Sequence, residues 1–377
     1  MKNSIYLDNA ATTPLHQAVI ERISEVLHIF GNPSSSHATG RKAKAVVELA
    51  RKEMAGFFNI STSELIFTSG GTEANNLILH NAVHHLGVNR IITSTLEHKA
   101  VLNTVKKLSK TKAVKIDFVK PDDDGMLNYN NLNKLLKNST GKTLVSLMHV
   151  NNEIGNLLDL QRVNNLCKEN GALFHSDTVQ TIGHFKLDLQ AVPIDFITCS
   201  AHKFHGPKGI GFAVIKKEHG IDPLIIGGEQ EHGTRAGTEN VPYIAGMHTA
   251  LKIALENLND DHNYIGGLKQ YFIESLKRHI PNVAFNGNGK DLKNSTYTIL
   301  NVRLPKNIPM LLFQLDLKGI AASGGSACQS GSQMGSHVLD AILPEVEKNK
   351  SSVRFSFSKY NTKEELDRVI EVIKELI

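Results

Sequence analysis

Residues 64–76 read ELIFTSGGTEANN and join an apolar run, a turn with two glycines and the start of a helical pattern. The run at 64–68 predicts a buried strand, and a helix is expected from Glu73 to Leu86. Adjacent glycines let backbone amides approach an anion, and the helix would present its free N–H groups to that anion. An ordinary strand–turn–helix junction capped by Thr72 is the alternative interpretation of this segment alone.

The same alternation of strands and helices continues on both sides of this segment. A helix is predicted for residues 43–58, and further helices are predicted from Lys99, at 131–137 and at 160–170. The strands between them are short and apolar, as buried parallel strands are; they are predicted at 90–93, 114–119, 143–148, 172–175, 196–199 and 211–215. The pattern therefore predicts an α/β layered fold with a mostly parallel sheet.

The pattern changes after about residue 240. A helix at 241–258 leads to Asp260-Asp261, which we interpret as a linker. The elements predicted beyond it are helix 264–279, strand 297–302, helix 309–317, a Gly/Ser/Ala-rich loop at 321–336, strand 352–356 and helix 363–377. This order is typical of a smaller α+β unit.

Composition excludes several classes of protein. With 41% hydrophobic and 21% charged residues, the 377-residue chain is typical of a folded protein and not of a disordered, collagen-like or coiled-coil one. The net charge of +5 comes from scattered Lys and Arg, so direct nucleic-acid binding is not expected, although an acidic partner stays open. Because there is neither an apolar signal core nor a run of ~20 apolar residues, we expect a cytoplasmic protein without membrane contact.

The three cysteines, Cys167, Cys199 and Cys328, are too few for a disulfide framework and indicate a reducing compartment. Cys167 lies on the apolar face of a predicted helix and Cys199 ends a predicted strand, so both are interpreted as packing residues. Cys328 lies in a Ser/Gly-rich stretch that has no bulky apolar residue to bury it. An exposed position of this kind suits a reactive thiolate.

Residues 199–209, CSAHKFHGPKG, place Lys203 just after a predicted buried strand. A lysine that is desolvated there loses its proton more readily and can serve as an amine nucleophile and base, as in a Schiff-base site. A surface lysine in a turn is the alternative when this segment is taken alone. The sequence thus offers Lys203 as a candidate for covalent cofactor attachment.

Asp177 stands at the end of another predicted buried strand, in the segment FHSDTVQ at 174–180. A buried carboxylate is costly unless it meets a cation. The protonated ring nitrogen of pyridoxal 5′-phosphate is such a cation, and an aspartate partner keeps that ring an electron sink. A helix N-cap is the alternative role for Asp177.

The eighteen histidines do not predict a metal site. No group of Cys and His has tight ligand spacing, and His202 and His205 flank the candidate lysine instead. We therefore expect no metal.

Considered together, these segments make the chain recognisable. It resembles the fold-type I pyridoxal-phosphate enzymes, and within them the cysteine desulfurases of the NifS/IscS type in the class-V aminotransferase family. The resemblance covers essentially the whole chain; its further motifs are YLDNAATT at 6–13, GNPSS at 31–35, LEHKAV at 96–101, HVNNEIG at 149–155, GTRAGT at 233–238, GSAC at 325–328 and SVRFS at 352–356.

The resemblance implies a fold and an activity. The fold would be a large domain of residues 15–258, with a mostly parallel seven-stranded sheet, and a smaller α+β domain of residues 1–14 and 259–377. The enzyme would be a homodimer that converts L-cysteine to L-alanine and leaves a persulfide on Cys328, for transfer to an iron–sulfur scaffold protein or another sulfur carrier. A selenocysteine lyase, another fold-type I enzyme and a non-catalytic protein that binds the cofactor are the alternatives.

The resemblance also implies roles at matching positions. The catalytic residues would be Cys328 as sulfur acceptor, Lys203 as Schiff-base lysine and His98, which would stack on the cofactor ring and move protons. The other cofactor-binding residues would be Asp177 at the ring nitrogen, Gln180 at the ring hydroxyl, Asn152 near cofactor and substrate, and Gly71, Thr72, Ser200 and His202 at the phosphate, joined by Thr238 of the other subunit. The substrate carboxylate would meet Arg354, whose planar guanidinium suits a bidentate contact, and Asn32.

Departures from the family pattern are few. Residues 69–72 have a glycine where the family commonly has alanine, and Ser176 and Thr178 replace small apolar neighbours of Asp177. After Cys328 the usual Glu-Pro is missing, although the length resembles the long-loop class. These differences affect the expected choice of partner more than the expected chemistry.

Overall fold

The computed structural model describes residues 4–112, 114–138, 141–324 and 335–377. The strands are β1 Ile5–Tyr6, β2 Leu65–Thr68, β3 Arg90–Ser94, β4 Lys115–Val119, β5 Thr143–Ser146, β6 Leu173–Asp177, β7 Phe196–Ser200, β8 Gly211–Ile215, β9 Ala284–Asn286, β10 Ile299–Arg303, β11 Ile320–Ala321 and β12 Ser352–Ser356. The helices are α1 Gln17–Leu27, α2 Ala38–Phe57, α3 Gly71–His84, α4 Lys99–Lys112, α5 Tyr129–Lys137, α6 Leu160–Glu169, α7 Val241–Glu256, α8 Leu258–His279, α9 Leu311–Leu317, α10 His337–Ile342, α11 Glu345–Lys348 and α12 Lys363–Leu376.

Seven strands form the central sheet, in the order β2-β8-β7-β6-β5-β3-β4. The pairs from β7 to β4 are parallel, whereas β8 runs antiparallel to both of its neighbours. Apolar side chains of α3 and α4 cover one face, and those of α2, α6 and α7 contribute to the core on the other face. Burial on both faces explains the continuously apolar strands, and the predicted α/β class and mostly parallel seven-stranded sheet are confirmed.

A second core lies around the antiparallel sheet β12-β10-β9. Helices α8 and α12 pack against it, with the Phe272 ring set edge-on to the ring of Phe355. Leu7 is fully buried in the same core, and β1 pairs with β11 in parallel. The beginning of the chain is therefore built into the C-terminal α+β unit, while the exact domain boundaries stay a prediction.

Two helical predictions differ from the structure. Asp260 and Asp261 do not form a linker but lie in the first turn of α8. This helix begins directly after Asn257, which is the C-cap of α7. Acidic side chains in a first turn are stabilised by the positive end of the helix dipole, so this pair starts a helix. Helix α1 was not predicted, because its N-cap is His16 instead of a Ser, Thr, Asp or Asn.

The two cysteines within the described ranges are both buried, Cys167 in α6 and Cys199 in β7. Burial raises the pKa of both thiols, which keeps them protonated and unreactive. The prediction that they are packing residues is confirmed. Across the described parts of the chain, none of the helices is both long and apolar enough to cross a membrane.

Candidate active site

A cleft of about 240 Å³ opens at the carboxyl ends of β6 and β7, where ligands bind in open α/β sheets. Strand β6 ends at Asp177 and strand β7 ends at Ser200, and α3 begins beside them after β2. The cleft brings together ten of the predicted site residues, which are Gly71, Thr72, His98, Asn152, Asp177, Gln180, Ser200, His202, Lys203 and Arg354.

The beginning of α3 has the form of an anion-binding site. Its N-cap is Gly70, at φ +149° and ψ −178°, a conformation essentially confined to glycine. No side chain within the described ranges caps this helix, so the first-turn N–H groups at Gly71 and Thr72 face the cleft region with the positive end of the helix dipole. The alternative in which Thr72 caps the helix is therefore wrong.

His202 lines the same part of the cleft. Burial, together with the neighbouring Lys203 and Lys208, lowers the pKa of His202 to about 3, so the ring is neutral at physiological pH. Its Nδ1 is buried and has no hydrogen-bond partner in the part of the chain that the structure describes. A neutral imidazole whose buried nitrogen lacks a protein partner suits hydrogen bonding to a bound ligand.

Asp177 is held by two hydrogen bonds. Its Oδ2 accepts from the Asn75 side chain at 2.8 Å, and its Oδ1 accepts from the backbone N–H of Val179 at 3.0 Å. Asn75 is 1% exposed and was not singled out from the sequence. The sequence could have indicated Asn75 through its position four residues after Gly71, because residues four apart lie on the same face of a helix.

Lys203 lies in a short turn after β7, and its ammonium donates to the backbone carbonyls of Ala10 and Ala11 at 2.7 and 2.8 Å. Gln180 also donates to the carbonyl of Ala10, at 2.8 Å. The N-terminal segment thus forms one side of the cleft. The sequence contained this segment as a motif, but which atoms would face Lys203 depends on the tertiary fold.

His98 stands just before α4, where its Nδ1 accepts from the N–H of Ala100 at 3.1 Å. The neutral ring therefore carries its proton on Nε2. Burial is the main cause that lowers the pKa of His98, and the nearby Lys203 and His337 add to the effect against the opposing charge of Asp177. A neutral ring at the cleft fits the predicted stacking on a cofactor.

Arg354 is 1% exposed and already has two partners. One guanidinium nitrogen donates to the Asp8 carboxylate and the other to the backbone carbonyl of Asn152, each at 2.7 Å. Its Nε has no partner within the described residues. The Arg354 guanidinium is thus fixed at the cleft, and its Nε–H is available to donate to a carboxylate ligand.

Two predicted site residues are not brought to this cleft, and a third lies outside the described residues. Asn32 is exposed between α1 and α2, where its side chain accepts from the N–H of Ser34. Thr238 is exposed and lines a separate cavity beside Arg235 and Glu231. Cys328 lies outside the described residues. The roles given to these three residues stay predictions.

The comparisons with known proteins cover nearly the full chain. Residues 5–369 match the family model described as aminotransferase class-V. The chain belongs to the class-V aminotransferase family. This class-V aminotransferase is 39% identical to the cysteine desulfurase IscS of Dictyoglomus turgidum, over all of this chain and 95% of that protein.

Solved structures agree with the assignment. A NifS-like protein superposes with a TM-score of 0.89 at 36% identity and covers 99% of both chains. The structure described as SspA in complex with cysteine has a TM-score of 0.81 at 29% identity, over 95% of this chain and 100% of that one. The predicted membership in the NifS/IscS type of cysteine desulfurase is confirmed.

Cysteine desulfurases and other class-V aminotransferases depend on pyridoxal 5′-phosphate, which confirms the cofactor prediction. The residues present fit this group. The uncapped α3 and the unpartnered His202 nitrogen suit a phosphate, and Asp177 and Lys203 stand at the same cleft for the ring nitrogen and the aldehyde carbon.

One group of three possible metal ligands occurs within the described residues, Asp195, Glu218 and His219. His219 Nε2 lies 2.8 Å from the Asp195 carboxylate, and Lys216 Nζ lies 3.8 Å from it. None of these residues lines the cleft. Because the carboxylate already has an imidazole and an ammonium as neighbours, we assign no metal to it.

Proposed function

We propose that this cysteine desulfurase places the sulfur of L-cysteine on Cys328 as a persulfide and releases L-alanine. The Cys328 thiolate attacks the substrate sulfur, an S–S bond forms, and the electrons of the broken C–S bond stay on the substrate carbon, which is then protonated. One cysteine and one enzyme thiol thus give one alanine and one persulfide, without an added oxidant. The observation that carries the proposal is the meeting of Lys203, Asp177 and Arg354 in one cleft.

Each of these side chains suits one task. Bound pyridoxal phosphate supplies an electron sink for the carbon that loses its proton. Arg354 binds the substrate carboxylate, with Asp8 fixing the guanidinium, and Lys203 takes the proton from the substrate Cα. Asp177 holds the cofactor ring nitrogen in its protonated form.

The remaining predicted contacts complete the cofactor site. Gly71 and Thr72 bind the phosphate through their N–H groups, and the nearby Ser200 and His202 add side-chain contacts. Gln180 contacts the ring hydroxyl, His98 covers the ring and moves protons, and Asn152 approaches cofactor and substrate.

The assembly and the destination of the sulfur belong to the same proposal. The enzyme is a cytoplasmic homodimer in which Thr238 of one subunit reaches the phosphate bound by the other. Asn32 adds a contact to the substrate carboxylate. A large domain of residues 15–258 holds the cofactor, and residues 1–14 with 259–377 form the domain that carries Cys328. The persulfide passes to an iron–sulfur scaffold protein or another sulfur carrier.

The test is an assay of alanine and sulfide release from L-cysteine, with dithiothreitol to reduce the persulfide. Cys328→Ala is expected to abolish both products while the cofactor absorbance persists. Lys203→Ala is expected to remove that absorbance. The matched control is Cys167→Ala, which removes a buried thiol and is expected to keep the activity. Full cysteine turnover by Cys328→Ala would contradict the persulfide mechanism and favour a lyase that does not use this thiol.

A further inference from the structure

Ser336 and His337 follow closely after the segment that contains Cys328, and both contact residues that are chain neighbours of the cleft residues His98 and Asn152. The Ser336 hydroxyl donates to the Glu153 carboxylate. The Nε2 of His337 donates to the backbone carbonyl of Glu97 at 3.1 Å. A carbonyl only accepts hydrogen bonds, so this nitrogen must carry the proton.

Both glutamates are firmly placed and each is 1% exposed. The Glu97 carboxylate accepts from the backbone N–H of Met148 at 2.8 Å, and the Glu153 carbonyl accepts from the side chain of Asn301 at 3.0 Å. In the sequence Glu97 directly precedes His98, and Glu153 directly follows Asn152. Ser336 and His337 therefore attach to the neighbours of two predicted site residues.

Apolar packing strengthens this attachment. Helix α10 buries Val338, Leu339 and Ile342 against Leu96 and Ile154, in a cluster separate from the main cores. Leu96 and Ile154 belong to the same two chain segments as Glu97 and Glu153. Although α10 lies in the C-terminal part of the chain, its apolar contacts are made with the segments that carry His98 and Asn152.

The other side of the Cys328 segment is also attached to the cleft. The backbone of Ser323 pairs with that of Arg354, with N–H···O distances of 3.2 and 2.7 Å. The chain therefore leaves from Ser323, which is paired with the cleft residue Arg354. It returns at Ser336 and His337, which are bonded to the neighbours of Asn152 and His98.

We propose that Ser336 and His337 are positioning residues for sulfur transfer. His337 lies nine positions after Cys328, with eight residues between them, a span of up to about 30 Å when extended. Fixing Ser336 and His337 beside the segments that carry Asn152 and His98 restricts the volume open to the Cys328 thiol and raises its effective concentration at the substrate sulfur. The inference rests on the proposed role of Cys328.

Rates measured with two different substrates distinguish a loss of thiol positioning from a loss of folding or cofactor binding. L-Cysteine turnover needs the Cys328 thiol. β-Chloro-L-alanine loses chloride without a thiol acceptor, and hydrolysis of the remaining three-carbon product gives pyruvate and ammonium. Both substrates need Lys203 and the cofactor, but only L-cysteine needs the Cys328 thiol. A loss of initial rate with L-cysteine alone therefore reports on the thiol, whereas a loss with both substrates reports on folding or cofactor binding.

The key variant is His337→Phe, which keeps a ring but removes the N–H donor. We expect it to lower kcat for L-cysteine about tenfold, because a loosely placed thiol loses effective concentration. The KM for L-cysteine, the spectral change on its binding and the rate with β-chloro-L-alanine should stay within about twofold. His337→Gln restores a donor and should recover most of the kcat.

Ser336→Ala tests the proposal independently, since it leaves the apolar contacts of α10 in place and should also lower only the L-cysteine kcat. Because Ser336 caps α10 as well, the matched control is Thr362→Ala, which removes the N-cap of α12, a helix without residues in the cleft lining. His248→Phe, at a histidine paired with Glu53 on another surface, is the control for His337→Phe.

The proposal is overturned if folded His337→Phe and Ser336→Ala holoenzymes keep the wild-type kcat with L-cysteine. It is equally overturned if both substrates lose rate to the same extent. Cys328→Ala, measured with the same two substrates, keeps the two ideas apart. If Cys328→Ala turns over L-cysteine, the persulfide proposal itself fails. If Cys328→Ala loses L-cysteine turnover but the His337 and Ser336 variants keep it, only the positioning role is contradicted.

Discussion

Gly71 packs so closely against Val179 that a Cβ on Gly71 would lie 2.5 Å from Cγ2 of Val179. This contact accounts for a glycine at position 71. Val179 in turn donates its backbone N–H to Asp177. The size of residue 71 is thereby linked to the placement of the carboxylate that is predicted to bind the cofactor ring.

Gly71→Ala is therefore expected to displace Val179 and to weaken cofactor binding about tenfold, with a loss of stability of about 1–3 kcal/mol from overpacking. Gly71→Ala combined with Val179→Ala should recover most of both losses, because the second change removes the obstructing methyl groups. Cofactor titration and chemical denaturation of the two single variants and the double variant provide the measurement. Additive losses in the double variant would show that the two side chains do not compete for space.

Asn75 supplies one of two hydrogen bonds to the Asp177 carboxylate. Asn75→Ala should lower cofactor affinity about tenfold and cost about 1–3 kcal/mol of stability, because a buried carboxylate oxygen loses its donor. Cofactor titration followed by absorbance measures the effect. Asn165→Ala, on the exposed face of α6, is the matched control, and an equal loss of affinity in both variants would argue against the role of Asn75.

Arg354→Lys tests the guanidinium fork. Lysine keeps the positive charge but offers a single point of contact, so it cannot hold Asp8, the Asn152 carbonyl and a substrate carboxylate together. The KM for L-cysteine should rise at least about tenfold, while the cofactor absorbance is unchanged. Steady-state kinetics measure this, with Arg303→Lys in β10 as control. An unchanged KM would remove Arg354 from the substrate site.

Buried histidines should make the fold sensitive to mild acid. Burial lowers the pKa of His149 to about 3 and that of His175 to about 4. Above pH 6.5 these rings are neutral in both the folded and the unfolded chain. Below pH 6.5 they become protonated in the unfolded chain but stay neutral in the folded protein. Each ring should therefore cost about 1.4 kcal/mol of stability per pH unit as the pH falls from 6.5 toward 4.

Chemical denaturation of the holoenzyme between pH 7.5 and 5 measures this slope. His175→Gln can keep a hydrogen bond to Ser146 without a titrating ring, so its stability should fall less steeply with acid than that of the wild type. Asn165→Gln, at an exposed position of α6 that does not titrate, should leave the slope unchanged. Identical slopes for wild type and His175→Gln would show that His175 does not carry the effect.

Local patterns predicted much of the fold and of the site. The apolar strands of the sheet, and the strand ends that carry Asp177 and Ser200, depend on residues close together in the chain. Lys203 could be singled out because the strand end before it and the Gly-Pro turn after it lie within a few residues of it. For these features the information needed is local, which is why the sequence was sufficient.

Contacts between distant segments could not be predicted in the same way. The carbonyls of Ala10 and Ala11 meet Lys203 only through the tertiary fold, and any residue type offers a carbonyl there. Asn75 gave a signal only through helical spacing. The Asp260-Asp261 pair was misinterpreted because acidic residues suit both a solvated linker and a first helical turn, and helix α8 resolved that ambiguity.

The placement of the first residues also sets the order in which the protein can be completed. Ile5 pairs with Ile320, and Asp8 bonds to Arg354, so early residues meet their partners only after most of the chain has been made. The central sheet can assemble while synthesis continues, but Ala10, whose carbonyl contacts Lys203, also donates its backbone N–H to Ser356 of β12. A nascent chain therefore cannot complete its active site before β12 has left the ribosome.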